Sequence, residues 1–155
     1  MEPRMNYAQI DPDVRNAMMH LERYVRQSGL DPKMLELVKI RASQINGCAF
    51  CIDMHTIDAR AAGETEQRLY LLNAWRESPF YSDAERAALE LTETLTQIST
   101  HHVSDELYAR VREHFSEKQY IQLVMAINTI NSWNRLSIAT GALPGTYQPP
   151  QKKGD

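Results

Sequence analysis

Cysteine is scarce in this chain. Its 155 residues hold two, Cys48 and Cys51, both inside one Cys-x-x-Cys. That excludes a disulfide scaffold of the secreted kind and leads us to expect a reducing, cytoplasmic setting. Long apolar runs are missing as well. No stretch reaches the ~18 apolar residues that would predict a membrane span. Met1 to Asp13 carries no apolar core of the signal-peptide kind, so secretion is not expected. Neither charge dominates: 17 Lys and Arg stand against 20 Asp and Glu, a net charge of −3. That leaves no electrostatic footprint for nucleic acid. Strand-like alternation is absent throughout, and so is any repeat of useful length.

What is present is helical spacing, punctuated at its joints by the few glycines and prolines. Asp11-Pro12 and Asp31-Pro32 each read as an N-cap followed by proline at the first helical position. Ser82-Asp83-Ala84-Glu85 and Ser116-Glu117-Lys118-Gln119 are capping boxes, and Ser104 is a further cap. Ser28-Gly29, Gly63 and Gly141 read as helix ends. Between these signals run stripes such as Val14, Met18, Leu21 and Val25, or Ala88, Leu91, Leu95 and Ile98. The last pattern, from Ile121 to Ile138, nearly encircles its helix, which predicts burial both by the core and by a second subunit. Asn128, Asn131 and Asn134 interrupt it; buried amides need partners, so they should bond across a contact or toward a pocket. The expected architecture is all-α, one helical bundle of about six or seven helices over residues 1–143, with a flexible tail over 144–155.

One octapeptide carries chemistry: Cys48-Ala49-Phe50-Cys51-Ile52-Asp53-Met54-His55, with Glu36 twelve residues upstream of Cys48. On a helix over 48–62, Cys48, Cys51 and His55 share one stripe. Asn46-Gly47 marks a break just before it, so the thiols lie in the first turn. There, free N–H groups and the helix dipole stabilise a thiolate. A Cys-x-x-Cys pair can close into a disulfide with little movement, one sulfur attacking and the other resolving. His55, one turn beyond Cys51, can take a thiol proton. Glu36 could orient His55 or end a proton relay, and burial facing the thiols would raise its pKa. Its neighbours Lys39 and Arg41 are expected in solvent, although Arg41 could pair with an acid.

Other chemistries fit these residues less well. A disulfide bridging three residues would restrict the unfolded chain little, so a purely structural bond is a weak explanation. Zinc would need a bent helix and a fourth ligand from His101 or His102. A c-type haem site requires histidine directly after the second cysteine, where Ile52 stands.

Glu36, Cys48-x-x-Cys51 and His55, with the flanks Leu37 to Gly47 and Asp58 to Gly63, resemble the active-site pattern of the AhpD-like alkylhydroperoxidases of the carboxymuconolactone decarboxylase superfamily. Asn131-Ser132-Trp133-Asn134-Arg135-Leu136 resembles the family's last-helix motif. The resemblance spans about residues 30 to 140. It implies a thiol peroxidase in which Cys51 attacks a hydroperoxide and Cys48 resolves the sulfenic acid, while His55 and Glu36 relay the proton. It also implies a homo-oligomer, commonly a trimer or hexamer, and an external dithiol or a thioredoxin- or lipoyl-type reductant. No cofactor or metal is called for. Phe50 departs from the pattern, because the best-characterised branch has histidine there. Both cysteines set the chain apart from the decarboxylase branch, which generally lacks them. A general disulfide oxidoreductase, or a non-enzymatic zinc or redox-sensing module, is the alternative.

Overall fold

A computed structural model describes residues 2–149. Among these residues the fold is all-α, as expected, with eight α-helices and no strand. In chain order they are α1 (Tyr7–Ile10), α2 (Pro12–Arg26), α3 (Pro32–Asn46), α4 (Ala49–Ala61), α5 (Glu66–Leu71), α6 (Asp83–Thr96), α7 (Asp105–His114) and α8 (Glu117–Thr140). A 3₁₀ segment, Leu72–Glu77, continues α5. This exceeds the six or seven helices expected, because four-residue α1 is too short to show a stripe.

The boundaries follow the capping chemistry. Asp11 and Asp31 cap α2 and α3, each with proline in the first turn. Both predicted capping boxes close, at Ser82 with Glu85 and at Ser116 with Gln119. Gly47 and Gly141 end α3 and α8 in the left-handed conformation, at φ 70° and 73°. A side chain strains there, which explains glycine at both positions.

Helix α3 is the central element. It packs against α4, α6 and α8 and is buried on nearly every face. On one side Met34, Leu35 and Val38 meet Val25, Leu91, Val111 and Ile127. On the other, Leu37 and Ile40 meet Ala59 of α4, Leu72 and Trp75 of the 3₁₀ segment, and Leu89 of α6. Truncating a fully buried leucine such as Leu37 to alanine costs about 2–5 kcal/mol.

One packing expectation is corrected. Ile98 was expected inward but is exposed, because α6 stops at Thr96 and the stripe's phase is lost. Ala62 is exposed at the end of α4. Tyr81 is buried, with its hydroxyl donating to the Arg68 carbonyl, while Phe80 faces outward. Of the expected tail, the stretch 144–149 hydrogen-bonds back onto α4. The Gly145 amide donates to Asp53 Oδ2 at 2.8 Å, and the Tyr147 hydroxyl donates to Asp58 Oδ1 at 2.7 Å. Residues 150–155 of that tail lie outside the described residues.

Candidate active site

The thiols sit where α3 turns into α4. Cys48 is the N-cap of α4, with no side-chain capping bond, and Cys51 lies in the first turn. The two are joined as a disulfide, with 5.4 Å between their Cα atoms. Both are almost wholly buried. The Cys48 amide donates to the Ser43 carbonyl at 3.0 Å, which fixes the turn through Gly47. Two amides of α8 brace it from behind. Asn46 Nδ2 donates to Asn131 Oδ1 and to Asn134 Oδ1, each at 2.9 Å, and Asn134 Nδ2 donates to Ser43 Oγ at 2.9 Å. Asn131 and Asn134 thus bond toward the site, as expected of buried amides, while Asn128 is exposed.

Along α4, Cys51, His55 and Ala59 are buried at four-residue intervals, so His55 shares the inward face with the second thiol. Helix α3 brings Glu36 to it: His55 Nδ1 lies 2.8 Å from Glu36 Oε2. Sequence spacing alone paired these two residues, and the fold places them in contact.

The environment of Glu36 differs from expectation. Burial pushes its carboxyl up, but the hydrogen bond and charge of His55 and of Lys39 together hold it below the ordinary carboxylate range. The anticipated upward shift is therefore reversed, and Glu36 stays ionised. Lys39 is the reason sequence reasoning failed here. It was expected in solvent, yet it is buried, with Nζ donating to Glu36 Oε1 at 3.0 Å and to Glu22 Oε1 at 3.2 Å. Glu22 on α2 is buried too, and Arg26 Nε donates to it at 3.2 Å. Desolvation is the largest influence on both; it opposes each charge but is outweighed by the mutual attraction. Glu22 is held below the ordinary carboxylate range and Lys39 above the ordinary amine value. Two signals were available. Glu22 lies on the Met18–Val25 stripe, and Lys39 is three residues from Glu36 within an apolar run. Arg41 follows the second of its two expectations: Nε donates to Glu93 Oε1 at 2.7 Å.

Asp58 is half-buried, accepts the Tyr147 hydroxyl, and has its carboxylate close to Glu36 and His55. Atoms of these three residues lie within 4.8 Å of one another, close enough to share a cation. Lys39 Nζ already occupies one Glu36 oxygen, and the Tyr147 phenol one Asp58 oxygen. His101 and His102, the candidate fourth zinc ligands, are exposed in the loop after α6. There the His101 ring is held locally by Thr100 and Gln97.

A cleft of about 270 Å³ opens on Cys48. Ala49, Phe50, Ile138, Ala142 and Leu143 give it apolar walls, and Glu2 and Arg4 add charge. Phe50 thus lines the approach to the disulfide, where a histidine was the family's expectation.

An all-helical bundle that closes a Cys-x-x-Cys at a helix start, with a buried Glu–His pair behind it, is a protein of the AhpD-like class. The comparisons agree, and the chain belongs to the carboxymuconolactone decarboxylase family, whose profile matches residues 12–94. It is 58% identical to the uncharacterized protein YdfG of Bacillus subtilis over 91% of this chain and 96% of that one. It is 33% identical to the uncharacterized protein YnjA of Escherichia coli, over 86% of this chain and 72% of that one. A crystal structure from Agrobacterium tumefaciens superposes with a TM-score of 0.90 at 40% identity, covering 94% of this chain and all of that one. That protein is of unknown function and provisionally named an antioxidant defence protein AhpD.

Proposed function

We propose that this protein is a thiol-dependent hydroperoxide reductase. The observation that carries the reading is the Cys48–Cys51 pair closed at the start of α4, with His55 and Glu36 hydrogen-bonded on the same buried side. In the reduced protein, His55 takes the Cys51 proton. Because Glu36 stays ionised, it accepts from Nδ1–H and leaves Nε2 as the basic nitrogen of the ring. Glu36 therefore orients the ring and stabilises the imidazolium rather than receiving the proton itself. The Cys51 thiolate attacks the terminal oxygen of the hydroperoxide. The O–O bond breaks, the leaving alkoxide takes the proton held on His55 and departs as an alcohol, and Cys51 becomes a sulfenic acid. Cys48 then attacks that sulfur, the S–S bond forms and water leaves. An external dithiol, of thioredoxin or lipoyl type, returns both cysteines to thiols by exchange, and the cleft on Cys48 gives it an approach.

Peroxide consumption by the reduced protein tests this. Wild type should lose two hydrogens per equivalent of peroxide by mass spectrometry. Cys48→Ser should stop at a trappable sulfenic acid, and Cys51→Ser should be inactive. Full turnover in Cys51→Ser would reverse the roles of the two sulfurs.

The same cleft favours a second reading, a general disulfide oxidoreductase acting on thiol substrates. Faster reduction of a test disulfide than of any hydroperoxide would select it. The family resemblance also leads us to expect a homo-oligomer, commonly a trimer or hexamer, and Ile121 at the start of α8 is an exposed apolar side chain that a second subunit could cover. A monomer mass by light scattering would remove that expectation.

A further inference from the structure

We propose that Leu143 is a specificity-determining residue. Tethered at the wall of the cleft, it admits slender thiols to the Cys48 sulfur and turns away those branched beside their own sulfur. The proposal rests on the reading above only in taking the disulfide as one that an external thiol reopens; peroxide plays no part in it.

Access to the disulfide is narrow. Cys48 and Cys51 are each 1% exposed, so a thiol needs an opening to reach either. The cleft of about 270 Å³ borders Cys48 and not Cys51. It is smaller than the ~300–1,000 Å³ of sites that enclose drug-sized ligands, so each wall residue weighs on what fits. Ala49 and Phe50, at the start of α4, form one part of the wall. Ile138 near the end of α8, and Leu143 just past it, form another.

Leu143 differs from the other three in how it is held. They belong to helices, whereas Leu143 follows Gly141, where α8 has ended, and lies half-buried in irregular chain. Tethers on both sides fix it. Before it, Arg4 secures the end of α8: its amide donates to the Thr140 carbonyl and its guanidinium to the Ile138 carbonyl, each at 2.9 Å. After it, the Gly145 amide donates to Asp53 Oδ2 at 2.8 Å, and the Tyr147 hydroxyl to Asp58 Oδ1 at 2.7 Å. Asp53 and Asp58 belong to α4, the helix that Cys48 caps, so these bonds place Leu143 relative to the sulfur itself.

The exchange explains why branching matters. A thiolate in the cleft attacks Cys48 Sγ in line with the S–S bond. A mixed disulfide forms on Cys48, the protein S–S bond breaks, and Cys51 leaves as a thiolate. A second thiolate attacks the outer sulfur, Cys48 is released as a thiolate, and an external disulfide departs. The protein disulfide gains two electrons from the external thiols, and the two protons those thiols shed pass to Cys48 and Cys51. In-line attack fixes the direction of approach, so groups on the carbon next to the entering sulfur press on the wall that Leu143 completes.

The test is reduction of the oxidised protein by mercaptoethanol and by its dimethyl analogue, branched beside the sulfur, with alkylation and mass spectrometry to map the first thiol freed. The rate ratio, branched over unbranched, is read against wild type, which cancels the reactivity of the thiols themselves. Leu143→Ala should raise the ratio about 10-fold, the scale on which an apolar pocket discriminates small hydrocarbon groups. Leu143→Phe should lower it. The double variant Asp53→Ala/Tyr147→Phe keeps Leu143 but cuts both later tethers, and should raise it as well. The first thiol freed should be Cys51. A wild-type ratio in Leu143→Ala or in the folded double variant overturns the proposal, and so does release of Cys48 first. If the double variant does not fold, Leu143→Ala and Leu143→Phe must still move the ratio in opposite directions. If the ratio moves as stated but wild type consumes no hydroperoxide, the peroxidase reading fails and the role of Leu143 stands; hydroperoxide consumption with an unmoved ratio gives the reverse.

Discussion

Glu36 shows what a single residue's surroundings do to its role. From sequence alone, a buried carboxylate beside thiols suggests a raised pKa and a proton acceptor. In the fold, Lys39 and His55 each hold one of its oxygens, and the group stays charged. Glu36→Gln should therefore slow Cys51 alkylation at neutral pH by about 10- to 100-fold, because the ring loses its anionic partner. It should also destabilise the protein by about 1–3 kcal/mol, the worth of hydrogen bonds to charged groups. Alkylation kinetics and urea unfolding measure the two effects separately; unchanged kinetics would remove Glu36 from the site. The residues named from the motif, Glu36 and His55, were legible because a fixed spacing links them. Glu22 was not, because its only signal was a charge on an apolar stripe, and its partner lies seventeen residues away on another helix.

At the scale of elements, the joint between α3 and α4 decides where the thiols sit. Gly47 turns the chain at φ 70°, and a Cβ added there would meet nothing within 4 Å, so alanine would incur only the backbone cost. Gly29, between α2 and α3, is in the same position at φ 81°. Gly47→Ala and Gly29→Ala should each destabilise by about 1–2 kcal/mol. Only Gly47→Ala should also change the rate at which a thiol reductant opens the disulfide, since only that turn carries Cys48. Equal exchange rates in the two variants would show that the joint does not position the sulfur. The long helices were legible because caps and stripes agreed: Asp-Pro starts, capping boxes and terminal glycines fell where the helices begin and end. Helix α1 was not. A helix of one turn has too few residues to show a face.

Across the whole molecule, the buried charges make stability depend on pH at both extremes. Glu22, Glu36 and Glu93 are each held below the ordinary carboxylate value of 4.5. A lowered acid contributes stability that is present above 4.5 and lost as pH falls through its folded value, because the unfolded chain then binds more protons. Lys39 is held above the ordinary amine value of 10.5, chiefly because Glu36 and Glu22 outweigh its burial. A raised group works in the other direction: its contribution is complete below 10.5 and disappears as pH rises through the folded value. Burial likewise pushes Tyr81 and Tyr147 up to about 12 from an ordinary 10.0, which adds to the same alkaline loss. The melting temperature should therefore fall below about pH 5 and again above about pH 10. Lys39→Met should flatten part of the alkaline fall, and Glu22→Gln should flatten part of the acid one, whatever either does to the melting temperature at neutral pH. Thermal melts followed by circular dichroism from pH 3 to pH 11 measure both limbs. An acid limb identical in wild type and Glu22→Gln would mean that this carboxylate binds its proton as readily in the fold as in the open chain, and the buried pairing with Lys39 would then carry no weight in stability.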